Sequence, residues 1–304
     1  MPRQNVQHHK IPRVYLQNFT DNKGMVWIAD NKLIVRPQKP TETLTERDYY
    51  TVHFPNGKGT LTIETKYLNG IESTFGVVYA EKIAPRLPLT TEEKAKMAIF
   101  VASMLQRVPN RRKAIDKFSE DLKRLTSHMK LLSPEKRATL ANIASPSDKE
   151  NAIPADDLIK ALENTGSVHS ELMPNIVSET APIIFSMNFD FIEAPNDCLF
   201  LTSDDPCKLV NPELEIKFGI GKIGSAAGLQ QEGVELTLPL SSRICLLAGW
   251  ELQKDLAYIK GTKEIVMGIN SRTKRYAQNL ICSSKDDAET AVQKVKDYKN
   301  KLTN

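Results

Sequence analysis

The chain has 304 residues, 40% of them hydrophobic and 26% charged, with a formal net charge of +4. That is enough chain for one large domain or two coupled ones, of ordinary globular composition. The balance is too mildly basic to argue for nucleic acid by itself, and no apolar run reaches the roughly 18 to 20 residues of a membrane span.

Taken in order, the chain begins Met1-Pro2-Arg3-Gln4-Asn5, without the apolar stretch of a secretory signal. The expectation is a cytoplasmic protein with no membrane partner. His8-His9-Lys10-Ile11-Pro12 follows. Pro12 biases Ile11 toward an extended backbone, and in an extended segment His8 and His9 point to opposite sides. Ile11, Val14, Tyr15, Leu16 and Phe19 should anchor this segment to a core. Residues 13–36 read as short strands and turns. Met25–Ala29 and Leu33–Val35 look like a hairpin about Asp30-Asn31-Lys32. Glu46–Val52 reads as a further strand, ended by Pro55-Asn56-Gly57.

From Thr62 the apolar period becomes helical through Tyr67, Leu68, Ile71, Phe75, Val78 and Tyr79. This places Glu64 and Glu72 nearly on one face. Pro85 and Pro88 stop that helix. Thr90 with Glu93 fits a capping box, which opens an apolar helix that Pro109 kinks or ends. A polar helix follows from Arg111 to about Leu132, then another from Pro134 to Ile143. Residues 144–156 look like an exposed connection and mark the one internal boundary, between a strand-plus-helix part (1–143) and a sheet-rich part (157–304) of a single family domain. Helices at 155–164 and 167–186 come next, the second open to breakage at Pro174 and Pro182.

After Ser186 the period is two. Strands are expected at Met187–Ala194, Leu199–Ser203, Leu214–Phe218, Val234–Leu238 and Arg243–Ala248, then helices at 262–280 and 286–302. Strands, helices, strands and helices in blocks make an α+β class. Gly219-Ile220-Gly221-Lys222-Ile223-Gly224 has the outline of a dinucleotide loop. It lacks the helix and acidic residue that such a fold needs, and reads as a hairpin loop. Cys198, Cys207, Cys245 and Cys282 are scattered and are expected to be free thiols. His53, His128 and His169 have no supporting partners and read as structural or exposed.

Several groups could carry chemistry. His8 and His9 can act as base, acid or metal ligand near neutral pH. Asp204 follows the apolar run Leu199–Leu201, at a strand exit; the structural alternative is an Asx turn closed by Pro206. Gln106, Arg107 and Arg111 sit at a helix end, where a guanidinium can grip phosphate or carboxylate, or merely satisfy the helix terminus. Glu64 and Glu72 are candidate carboxylates for a base or a metal, or plain surface residues.

Four stretches also carry a family likeness: 8–19, 106–111, 201–206 and 238–241, with a tail at Ile269-Asn270-Ser271-Arg272 through Ala277. On these the chain resembles an uncharacterised bacterial family, domain of unknown function 4238. The family usually has Thr where Val108 stands and often Asn where Asp205 stands. The likeness implies no activity.

The first expectation from the residues is a phosphate-directed hydrolase of nuclease type acting on nucleic acid. In it His8, His9, Asp204 and Glu72 are catalytic, or hold a divalent metal. Gln106, Arg107, Arg111 and Asn270 bind substrate. The alternative is a non-catalytic nucleotide- or anion-binding regulatory module using the same residues. A third reading gives these motifs to the fold alone. The first two require the distant segments to meet.

Overall fold

The computed structural model describes residues 7–53, 59–60, 63–131, 133, 135–136, 168–252, 255 and 257–293. The expected boundary at 144–156, the helices at 134–143 and 155–164 and the turn at Pro55–Gly57 lie wholly or almost wholly outside them.

The opening motif is a short strand, β1 (Gln7–His9), followed by helix α1 (Arg13–Leu16) and a 3-10 turn at Gln17–Phe19. The helical turn corrects the expectation of strand from residue 13. Pro12 follows the bend at Lys10 and Ile11 after β1 and stands just ahead of the first helical residue, a place where its missing N–H costs nothing. Ile11, Tyr15, Leu16 and Phe19 are fully buried, as their apolar character requires. The hairpin forms from β2 (Val26–Asp30) and β3 (Val35–Gln38).

The expected strand Glu46–Val52 is instead two: β4 (Thr45–Arg47), paired with β1, and β5 (Val52–His53), paired with β6 (Gly59–Thr60). Asp48 takes a left-handed φ of 55° between them, which turns the chain. Residues 63–83 are helical throughout, with α2 (Asn69–Val78) between two π turns. α3 (Thr91–Arg107) opens on the capping box, Thr90 accepting from the Glu93 amide and Glu93 accepting from the Thr90 amide. It stops at Val108, which is extended, and Pro109 becomes the first residue of α4 (Pro109–Lys130).

α5 (Val168–Ser186) runs unbroken through Pro174 and Pro182. Each interior proline costs about 3 kcal/mol. Met173, Val177, Ala181 and Ile184 form one buried stripe against α3, and large apolar side chains contribute about 1.5–3 kcal/mol each, which offsets it.

The main sheet has the order β12-β7-β11-β10-β9, from β7 (Asn188–Glu193), β9 (Lys208–Val210), β10 (Glu235–Pro239), β11 (Ile244–Gly249) and β12 (Ala257–Lys260). All neighbours are antiparallel except β12 with β7. Period-two burial gives it two covered faces. Ile244, Leu246 and Ala248 face the core with α2, α3 and α5, while Cys245 and Leu247 face α7 (Lys263–Lys274). The second sheet, β3-β2-β13-β8, joins the hairpin to β13 (Asn279–Cys282) and β8 (Thr202–Ser203).

Two further expectations are corrected. Residues 214–218 are not strand but part of α6 (Pro212–Phe218). Asn211 caps it, Pro212 starts it and Gly219, at φ 90°, ends it, so three local stop-and-start signals outweigh the alternation of Leu214, Ile216 and Phe218. The expected helix at 262–280 ends at Lys274, and 279–282 pair as β13 with β2. The α+β class holds. Residues 285–293 are helical.

Candidate functional site

The opening motif binds the other family stretches at both of its ends. At one end, the Tyr15 hydroxyl donates to the Pro239 carbonyl at 2.6 Å and accepts from Thr202, also at 2.6 Å. Asn18 donates to the Leu240 carbonyl at 3.0 Å. At the other end, Arg107 donates from Nη2 to the His9 carbonyl at 3.3 Å. Residues 8–19, 106–111, 201–206 and 238–241 are thus physically joined.

Arg107 is the hub of a buried network. It is fully buried, donates from Nε to the Tyr50 hydroxyl at 3.0 Å, and pairs through Nη2 with Glu72 at 2.7 Å. Burial works against its charge, but Tyr50 and Glu72 outweigh that and hold the guanidinium more firmly protonated than usual. Its Nη1 is buried with no partner among the described residues.

The histidines differ, as the extended backbone requires. His8 is fully buried, stacks on Tyr50 and accepts the Tyr50 amide N–H on Nδ1 at 2.8 Å. An amide can only donate, so Nδ1 is unprotonated and Nε2 carries the hydrogen. Burial lowers its pKa, with Asp48 opposing, which keeps this neutral tautomer. Nε2 is therefore a donor and is not available as a base. A metal there would need Nε2 free and a proton on Nδ1, where the amide already points. His9 is half-buried and donates from Nε2 to the Thr41 carbonyl at 3.1 Å, which leaves Nδ1 as the basic nitrogen. Its pKa is lowered too, by burial first.

Asp204 and Asn270 take their partners elsewhere. Asp204 is buried and accepts from the Gln278 amide and the Asn279 side chain, both at 3.0 Å, which clamps the entry of β13. Asn270 bridges α7 to the Leu199–Leu201 run, accepting from the Leu201 amide and donating to the Leu199 carbonyl. Gln106 is buried, and its carbonyl accepts from His169 Nε2 at 2.7 Å. The Glu64 side chain lies outside the described residues. His8, His9, Glu72 and Asp204 do not make a metal centre: among the described residues no group of three or more His, Cys, Asp or Glu side chains could hold an ion.

Arg111 belongs to a separate place, a cleft of about 470 Å³ between the first turns of α4, β9 and the α7–β13 connection. Arg111, Lys208, Arg272 and Arg275 line it, with Asp205 and Tyr276. Three of the cations are matched: Lys208 by Asp205 at 2.6 Å, Arg272 by Glu235 at 2.6 Å and Arg275 by Glu215. Arg111 is exposed and has no ion-pair partner among the described residues. Burial raises the Asp205 carboxyl pKa, with Lys208 opposing. The positive end of the 22-residue helix α4 faces the same space through Asn110 and Arg111. Tyr276 stands on the rim at a left-handed φ of 66°, a conformation that costs a side-chain-bearing residue about 1–2 kcal/mol.

Lys208, Arg272, Arg275 and Tyr276 escape sequence reasoning as site residues because Lys208 opens β9, a strand the sequence did not announce, and the others cluster about a helix end that the periodicity carries on to 280. The Gly219–Gly224 loop follows a helix, not a strand, so it has no dinucleotide context. The four cysteines are free thiols, and burial pushes those of Cys207, Cys245 and Cys282 up.

The sequence carries the signature of one family. Its profile, described as "Protein of unknown function (DUF4238)", matches residues 7–287, and the chain belongs to that family. No curated protein and no solved structure matches the chain. Among the described residues no helix is long and apolar enough to cross a membrane.

Proposed function

We propose that the protein is a binding module for a small phosphate-bearing ligand, of the nucleotide class, held in the cleft between α4, β9 and the α7–β13 connection. The observation that carries this is the exposed Arg111 guanidinium at the start of a long helix, without an ion-pair partner among the described residues, in a cleft that Lys208, Arg272 and Arg275 also line and with Asp205 as an opposing charge. An exposed guanidinium at a helix start is suited to bidentate phosphate or carboxylate recognition. The volume lies within the roughly 300–1,000 Å³ typical of small-ligand sites. Binding rather than turnover is favoured because the Asp205 carboxylate is held by Lys208 and the Cys207 thiol is buried. Isothermal titration with inorganic phosphate, pyrophosphate and nucleoside phosphates tests the reading. Saturable binding that Arg111→Ala weakens at least tenfold supports it, and no binding of any of them ends it.

A second reading, phosphodiester hydrolysis on nucleic acid, is favoured by one observation. His9 turns its protonated nitrogen to a carbonyl, as an oriented general base does, within electrostatic reach of Glu72. Under that reading Arg107 positions Glu72, and no step passes through a metal. Cleavage of a single-stranded oligonucleotide by the wild type, abolished in His9→Ala but kept in His8→Asn, would select it over simple binding.

A further inference from the structure

The cleft holds a feature that a site for a bare anion does not need. Its walls are apolar as much as charged, with Leu105, Val108, Ala114, Cys207, Leu209 and Val210 among them. A single oxyanion would leave most of its space to water. At the rim stands an aromatic ring on a residue that remains 63% exposed. Its backbone is held left-handed, where a bulky side chain is an outlier, and such backbones persist only where the surroundings fix them.

Two neighbours hold the ring and the chain beside it. Lys208 Nζ lies over the ring, 5.9 Å from its centroid, and the same ammonium donates to the Arg275 carbonyl at 2.7 Å, one residue before Tyr276. Gly221 abuts the hydroxyl: a Cβ there would come within 2.8 Å of it. Gly221 itself has a φ of 72°, so the loop both needs glycine for its turn and uses the missing side chain to approach the ring.

Building on the binding reading above, we propose that Tyr276 is the stacking platform for the base of a nucleoside phosphate whose phosphate is held at Arg111. The ligand spans the cleft, charged end on the first turn of α4 and flat end on the ring. Every base has a π face, so the platform selects for nucleosides over sugar phosphates without selecting strongly among bases. A base–aromatic stack corresponds to roughly a tenfold to hundredfold gain in affinity.

The test compares ribose 5-phosphate with the four common nucleoside 5′-monophosphates by titration calorimetry on the full chain. The nucleotides should bind at least tenfold tighter than ribose 5-phosphate. Tyr276→Ala should erase that difference, read as the ratio of the two affinities within the variant, while Tyr276→Phe retains it. Gly221→Ala, which displaces the hydroxyl end, should shrink it. Thermal melts check that each variant is folded. If ribose 5-phosphate and nucleotides bind equally and Arg111→Ala weakens both, the stacking role is overturned and the phosphate cleft stands. If no phosphate compound binds, both fall.

Discussion

Replacing Glu72 by Ala exposes the energetics of the buried hub. Glu72 is the carboxylate facing Arg107, at 2.7 Å, and the guanidinium side chain has no solvent contact. Charge centres about 4 Å apart attract by about 4 kcal/mol at an effective dielectric of 20. Breaking a buried pair costs about 3–5 kcal/mol because it strands the remaining charge. The Glu72 side chain is 18% exposed, so some water can replace it. The expected loss is therefore at the lower end, about 3 kcal/mol. Glu72→Gln keeps a hydrogen-bond acceptor and should lose about 2 kcal/mol. Replacing both partners, Glu72→Leu with Arg107→Met, removes the stranded charge and costs the Tyr50 hydroxyl and the His9 carbonyl one donor each. A double-mutant cycle by urea unfolding should give a coupling of about 2 kcal/mol, with the double variant more stable than the sum of the singles. A cycle that is additive, or a Glu72→Ala loss under about 1 kcal/mol, refutes the hub.

Burial lowers the pKa of His8, His9 and His169 from 6.5, so the unfolded chain binds more protons between the folded values and 6.5. The stability these groups contribute is whole above about 6.5 and is lost as pH falls through that value toward the folded ones. Unfolding free energy should thus drop from pH 7 to pH 5, by up to about 1.4 kcal/mol per pH unit for each histidine, and His169→Gln should flatten the slope. Asp204→Ala should destabilise by about 1–3 kcal/mol by stranding the Gln278 amide, with Asp204→Asn milder and ligand titrations unchanged for either; loss of binding at full stability would return Asp204 to the site. Phe100 stacks on Phe75 with ring centroids 3.8 Å apart, and Phe100→Ala should cost about 3–5 kcal/mol in thermal or urea unfolding.

What could be read from the sequence was what local chemistry decides alone. Thr90 and Glu93 announce a helix start whatever surrounds them. Ile11, Tyr15, Leu16 and Phe19 must be buried somewhere, and the opposed directions of His8 and His9 follow from an extended backbone. What stayed hidden depends on partners. Pro174 and Pro182 look like breaks until the stripe of Met173, Val177, Ala181 and Ile184 meets α3. Leu214, Ile216 and Phe218 alternate like a strand, yet Asn211, Pro212 and Gly219 make them a helix. Of the candidate residues, His8, His9, Glu72 and Arg107 share one network, which the sequence could suggest only by their chemistry. Asp204, Asn270 and Arg111 go to other places because two sheets and a helix junction lie between the stretches. Tyr276 lies in the family-like tail, but nothing local marks it as a site residue, since its ring meets Lys208 and Gly221 from two other segments.

The pairing of β2 with β13 joins residues 26–30 to residues 279–282. The first hairpin therefore leaves the ribosome with an open edge on β2, and β13 cannot cover it until residues 279–282 have been made. Helices α2 to α5 can collapse on one another earlier, but β2 must wait for β13, about 250 residues later. Folding is in this sense a ring closure between distant segments, which the entropy of closing so long a loop slows.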